Sequence, residues 1–309
     1  MTVVLLGPQS TRPDAGQVLA ELGIRGRVAL VTAGRQDAES DDAALIAALG
    51  VPAVNLKLHA RAVDVFAADP DLAIAYHARQ DRFRHIQGFY RIRLEKTDEA
   101  GRMISVRYVE PELLAQEDSV SVAQLRQLDD DHLQRCTAIR AAFHATWRIA
   151  ERPSVAKHRS ELQTELADCE ALVIAGGHVA SLFNRMKMFD VLGLAAGKPV
   201  IAWSAGAMVL TDRIVLFHDY PPYGSDIAQV LDAGFGLAPG IVVLPDPRRR
   251  VRLDDRAGIA RFARRMMPAT CVGMDHGTRM VFEHGQLGRV AGARLATTGD
   301  VDFGWDGSA

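Results

Sequence analysis

The stretch from Lys198 to Leu210, KPVIAWSAGAMVL, constrains the fold more than any other part of the chain. Val200 to Trp203 is an apolar run of the kind that forms a buried strand, and it leads straight into Ser204. Three tiny residues follow, Ala205, Gly206 and Ala207, and then a helical apolar pattern. A strand that turns this sharply into a helix admits only small neighbours and leaves the serine hydroxyl at the tip, the geometry of a nucleophile elbow. Amides at the start of the helix point the same way and stabilise an oxyanion placed beside that hydroxyl. The pattern departs from G-x-S-x-G in carrying Ala202 two residues before the serine. A serine at this kind of junction also arises as a simple N-cap. The motif alone leaves both readings open.

The elbow needs a sheet around it, and the rest of the chain supplies one. Val3–Leu6, Val28–Val31 and Val54–Leu58 are short apolar runs separated by Gly, Asp and helix-like stretches, notably Asp41 to Leu49. The alternation returns with Ala171–Ala175, a Gly176-Gly177-His178 loop, a helix over about 179–195, the serine strand, Ile214–Phe217 and Ile241–Leu244. Continuous apolar strands alternating with helices predict a parallel sheet buried on both faces. Between these parts, residues 62–168 have a different character. Phe83, Ile86, Tyr90 and Leu94 recur at helical spacing, as do Leu125, Leu128, His132, Cys136, Ile139, Phe143 and Trp147. This predicts a mainly helical insertion within a single α/β domain over 1–309, with a short extended piece near Arg102–Val109. Cys271–Thr298 reads as antiparallel β with turns at Gly277, Gly285 and Gly288, and 299–309 as a flexible tail.

Composition narrows the function classes. A net charge of −2 gives no general attraction for nucleic acid or an anionic membrane. Cys136, Cys169 and Cys271 are odd in number and lack C-x-x-C spacing, so they read as buried thiols of a reducing compartment. Thr2–Leu6 has no basic segment before it and does not read as a signal peptide. No apolar run approaches the ~20 residues that span a bilayer. A cytoplasmic protein is expected. No H-E-x-x-H or other clustered ligand spacing points to a metal, and no cofactor is expected.

Three blocks in order carry a family resemblance: Ala175-Gly176-Gly177-His178; Val200 to Asp219, with the elbow and a strand ending in His218-Asp219; and Gly236-Leu237-Ala238-Pro239-Gly240 through Pro245 to Val272–Thr278. In these the chain resembles the cyanophycinase and dipeptidase E family of serine peptidases, which share the class I glutamine amidotransferase-like fold. The resemblance covers the first strands and about 171–290, and not the helical insertion. It implies an α/β fold with a central mostly parallel sheet flanked by helices, and Ser204 at the carboxyl end of a strand.

The departures are specific. The family's activating histidine follows the Pro-Gly-strand block in a segment resembling D-Q-H-F or N-P-H-F; here Leu244-Pro245-Asp246-Pro247 puts Asp246 there. The cyanophycinase-like acid sits in a segment resembling D-E-G-T; here Asp275-His276-Gly277-Thr278 puts His276 there. Histidine and carboxylate have changed places, while the acid of dipeptidase E-like members is matched by Asp219. A carboxylate with a reference pKa of ~4 is a poor base for serine unless burial raises it. Three readings stay open: His276 activates Ser204 with Asp246 orienting it; His218 or His178 is the base; or hydrolysis is lost and the pocket binds a ligand.

The remaining residues follow from position. On a regular strand His218 and Asp219 point to opposite faces, and Asp219 is expected nearer the serine. Amides of Ala205 and of the Gly176-Gly177 loop would hold the oxyanion, with His178 near the substrate. Arg248-Arg249-Arg250 beside Asp246 would suit an acidic substrate. No aromatic residues interleave with these arginines, which disfavours nucleic acid. The expectation is a serine hydrolase-like protein cleaving a small peptide or amide, with a homo-oligomer formed through the insertion. A non-catalytic binding or regulatory protein competes with it, as does amidotransferase-like chemistry, although that relies on a cysteine at the elbow.

Overall fold

A computed structural model of the chain describes residues 1–217 and 227–307. The first part runs β1 (Thr2–Leu6), α1 (Ala15–Glu21), β2 (Val28–Val31), a 3₁₀ segment (Ala33–Ala38), α2 (Ala43–Leu49), β3 (Ala53–Asn55) and α3 (Leu58–Ala68). Two long helices follow, α4 (Pro70–Ser105) and α5 (Pro111–Trp147), then α6 (Pro153–Ala167). Next come β4 (Ala171–Ile174), α7 (Val179–Phe189), α8 (Val191–Leu194), β5 (Val200–Trp203), α9 (Ala205–Leu210), β6 (Arg213–Leu216) and β7 (Gln229–Ala233). The remainder is β8 (Ile241–Pro245), α10 (Pro247–Arg250), α11 (Arg256–Met266), β9 (Thr270–Met274), β10 (Arg279–Glu283), β11 (Gln286–Leu295) and β12 (Val301–Trp305).

The strands form a sheet in the order β3-β2-β4-β5-β1-β10-β11-β9-β8, with β12 added to β11. All pairs from β3 to β1 are parallel, as is β8 with β9. The expected α/β class with a mostly parallel sheet is the one the chain adopts. Every residue of β2, β4 and β5 is buried, because helices cover both faces. Val3 and Leu5 of β1 enter the core beneath α3, α6 and α7, whereas Val4 and Leu6 point to the opposite core, with α1 and α2. β10 and β9 pair with successive halves of the long β11, so the turn at 275–278 returns to the end of β1.

Between β3 and β4 the chain is helical. Pro70, Pro111 and Pro153 each open a helix, where the missing amide hydrogen costs nothing. Asp69 caps α4 by accepting from Leu72 N. Leu72, Tyr76, Tyr90 and Leu94 of α4 and Leu125 and Phe143 of α5 join the larger core. Among the described residues no helix is long and apolar enough to cross a membrane.

The structure corrects several local expectations. Arg102–Ser105 are the last turn of α4 rather than an extended piece. The helix expected over 179–195 breaks at Asp190, which takes φ 53° between α7 and α8. The strand near Ile214 lies outside the main sheet and pairs with β7. Gly288 is inside β11; the hairpin turn uses His284 and Gly285, both at positive φ as a two-residue turn requires. Residues 300–307 are not a free tail: β12 bonds to β11, and Trp305 is 6% exposed, while 308 and 309 lie outside the described residues. Trp305→Ala is therefore expected to lower stability by about 1.5–3 kcal/mol in urea unfolding. An unchanged midpoint would mean that β12 contributes nothing to the fold.

Candidate active site

Parallel register places the sequence-predicted residues. Leu6 is level with Trp203, and Ile174 with Ala202, so the carboxyl ends of β1 and β4 flank that of β5. Gly7 and Gly176 thus stand on either side of Ser204. Ser204 has φ 51° and ψ −122°, a combination that a residue with a Cβ avoids. Its carbonyl accepts the first bond of α9, from Met208 N. Small residues follow for a steric reason: a methyl on Gly206 would lie 3.0 Å from Ala175 O and closer still to Ile174 O. The sharp strand-to-helix turn at Ser204 that the sequence predicts is present.

Gly176 packs directly on the serine. A methyl there would lie 2.8 Å from Ser204 Cβ and 3.5 Å from its Oγ, so only glycine lets β4 end this close. The same point is 3.7 Å from Ala205 N, an amide at the first turn of α9 with no carbonyl four residues back to bond. The glycine loop is held in turn by the 3₁₀ segment after β2, since His178 N donates to Gly34 O at 2.7 Å.

His178 is exposed and caps α7, with its Nδ1 accepting from Ser181 N at 3.2 Å. Ser181 Oγ lies 2.9 Å from that same nitrogen and accepts from Gln36 Nε2 at 2.7 Å. These bonds assign the neutral ring's proton to Nε2, so the free edge of His178 is a donor. A donor suits a substrate carbonyl better than a serine proton. Gln36 has φ 54° and ψ −122°, the same unusual conformation as Ser204. Gln36 and Ser181 were not anticipated from sequence. His178 and Ser181 stand at the spacing of a capping pair, a readable signal, but nothing local marks Gln36.

Asp246 and His276 lie on the same rim. Asp246 follows β8 at φ 56°, ψ 52°, is half-buried, donates its amide to Met274 O at 3.0 Å and pairs with Arg249 at 3.6 Å. The turn bearing His276 abuts the end of β1: Gly7 N donates to Thr278 O at 2.9 Å, and any side chain at Gly7 would overlap Asp275 O. Asp275 accepts from Arg248 Nε at 2.8 Å. His276 itself is exposed. Among the described residues no hydrogen bond joins Ser204, His276 and Asp246. His218 and Asp219 lie outside the described residues.

No protein-family model matches this chain, and no curated protein matches it. Among solved structures it is similar to a peptidase from an acI-B1 Actinobacterium, at 12% identity and a TM-score of 0.46, covering 96% of this chain and 91% of that one. It is also similar to a candidate peptidase E protein from Listeria monocytogenes EGD-e, at 10% identity and a TM-score of 0.44, covering 93% of this chain and 96% of that one.

Proposed function

We propose that this chain is a serine-type hydrolase of a small peptide or amide, with Ser204 as nucleophile. The observation that carries the reading is the backbone of Ser204, held at φ 51° and ψ −122° at the carboxyl end of β5 with Gly176 against its side chain. Strain of this kind persists only where the surroundings enforce it, and it clusters at reacting positions.

In this reading Ser204 Oγ attacks the substrate carbonyl carbon while His276 takes the hydroxyl proton. The carbonyl oxygen becomes an oxyanion held by the amides of Ala205 and Gly177. The C–N bond then breaks, the amine leaves with the proton from His276, and the acyl group stays on Ser204. Water, activated by the same imidazole, releases the acid and restores the serine. Asp246 would orient the ring, and His178 would donate to the substrate. The base has to close onto the serine when substrate binds, because unliganded sites are commonly looser than reacting ones.

Labelling with a serine-directed fluorophosphonate tests the assignment. Wild type is expected to label at neutral to alkaline pH, and His276→Ala about 10²- to 10⁴-fold more slowly. Undiminished labelling of His276→Ala would remove His276 as the base. Absence of labelling in wild type across that pH range would instead favour a binding protein built on this fold.

A further inference from the structure

Helix α4 packs one face against α5 and leaves the opposite face bare. Tyr90, Leu94 and Gly101 are buried on the inner side. Phe89, Ile92 and Met103 lie on the outer side, and each is more than half exposed. With Lys96 and Glu99 they stand at positions 89, 92, 96, 99 and 103, the alternating steps of three and four that make a coiled-coil seam. Val106 continues the series just past the end of the helix, and Tyr108 follows in the turn to α5; both are more exposed still. From Phe89 to Val106 the stripe runs about 25 Å at the helical rise per residue. Apolar side chains scattered singly on a surface carry no message, but a contiguous stripe marks a contact surface.

The two charged residues of the stripe identify its occupant. Within one chain Lys96 Nζ donates to Glu99 Oε2 at 2.7 Å, an exposed pair that contributes little to stability. When two copies pack about a two-fold axis, every contact occurs twice with its roles exchanged. Place that axis between residues 97 and 98, with the helices antiparallel. Ile92 then faces the partner's Met103, Lys96 faces the partner's Glu99, and Phe89 faces the partner's Val106. Sliding one copy by a heptad sets Lys96 against the partner's Ile92 and Glu99 against the partner's Phe89. Sliding it the other way sets Lys96 against the partner's Val106 and Glu99 against the partner's Met103. Parallel copies in register would oppose like charges at both positions. The flanking charges Glu95 and Arg102 already pair with Arg91 and Asp98 of their own helix. One register alone among these matches apolar with apolar and each charge with its opposite.

We propose that the outer face of α4 is a homodimer contact, in which two copies of this chain pack antiparallel about an axis between residues 97 and 98. Sedimentation velocity of the full chain is expected to give twice the chain mass at tens of micromolar. Lys96→Glu and Glu99→Lys each set like charges across the seam, and each is expected to raise the dimer dissociation constant at least tenfold. The double variant Lys96→Glu/Glu99→Lys exchanges the charges in both copies and is expected to restore wild-type dimerisation. Ile92→Glu is expected to give monomer. All three side chains are exposed in the single chain, so circular dichroism should show each variant folded. A monomeric wild type, or a dimer that Ile92→Glu leaves intact, overturns the contact. Single reversals without effect, or a double reversal that fails to restore what they lose, overturn the antiparallel register.

Discussion

Ser204→Ala is expected to abolish fluorophosphonate labelling and any peptide or amide hydrolysis, whereas Ser204→Gly is expected to do the same and yet unfold at a higher urea concentration than Ser204→Ala. The loss of activity follows from removing the attacking oxygen; where a serine nucleophile works with a full triad, its removal costs on the order of 10⁶-fold in rate. The difference in stability follows from the backbone. At φ 51° and ψ −122° any Cβ is strained, and alanine keeps that Cβ. Glycine releases strain of about 1–3 kcal/mol, offset by roughly 0.5–1 kcal/mol of extra freedom in the unfolded chain. The glycine variant should therefore be more stable than the alanine variant by about 1 kcal/mol. Labelling that survives in Ser204→Ala would place the nucleophile elsewhere. Equal urea midpoints for the two variants would show that the elbow stores no strain, and the observation underlying the proposed function would lose its force.

What the sequence made legible here is what short-range chemistry determines. Val200–Trp203 followed by Ser204 and three small residues predicts the elbow, because only tiny side chains fit where α9 meets Ile174 and Ala175. Gly176 is legible for the same reason. Features that depend on distant partners were not. Gln36 has no local mark, and its conformation arises from packing of the 3₁₀ segment against the glycine loop. Val301–Trp305 alternates apolar residues with Asp302 and Gly304, but so short a run becomes a strand only because β11 offers an edge. The helix break at Asp190 sits inside an unbroken apolar pattern, Met188-Phe189-Asp190-Val191, so periodicity passes over it. His276 and Asp246 were placed by motif position. The fold brings both to the rim that holds Ser204, but register alone does not determine how a side chain on an exposed turn is aimed.

The largest stability effect is expected at Asp129 and Arg265, which join the insertion to the sheet domain. Arg265 of α11 donates Nε to Asp129 Oδ2 at 2.8 Å and Nη2 to Oδ1 at 2.6 Å, with the two side chains 4% and 0% exposed. Tyr90 completes the cluster: its hydroxyl donates to Asp129 Oδ1 at 2.7 Å and accepts from Arg265 Nη2 and from Val230 N. Burial raises the Tyr90 phenol above its usual range, which keeps it a donor. Arg265 Nη1 reaches Ala228 O at 2.8 Å, so α4, α5, α11 and the start of β7 converge on one charge pair. Removing one partner strands the other without water. Asp129→Leu or Arg265→Met alone should therefore lower stability by about 3–5 kcal/mol. The double variant Asp129→Leu/Arg265→Met removes both charges, and an apolar pair of similar volume is often neutral in such a position. It should recover most of the loss, giving strong non-additivity in a urea double-mutant cycle. Additive losses would mean that the two residues act through separate contacts, and that the insertion is not held to the sheet by their charges.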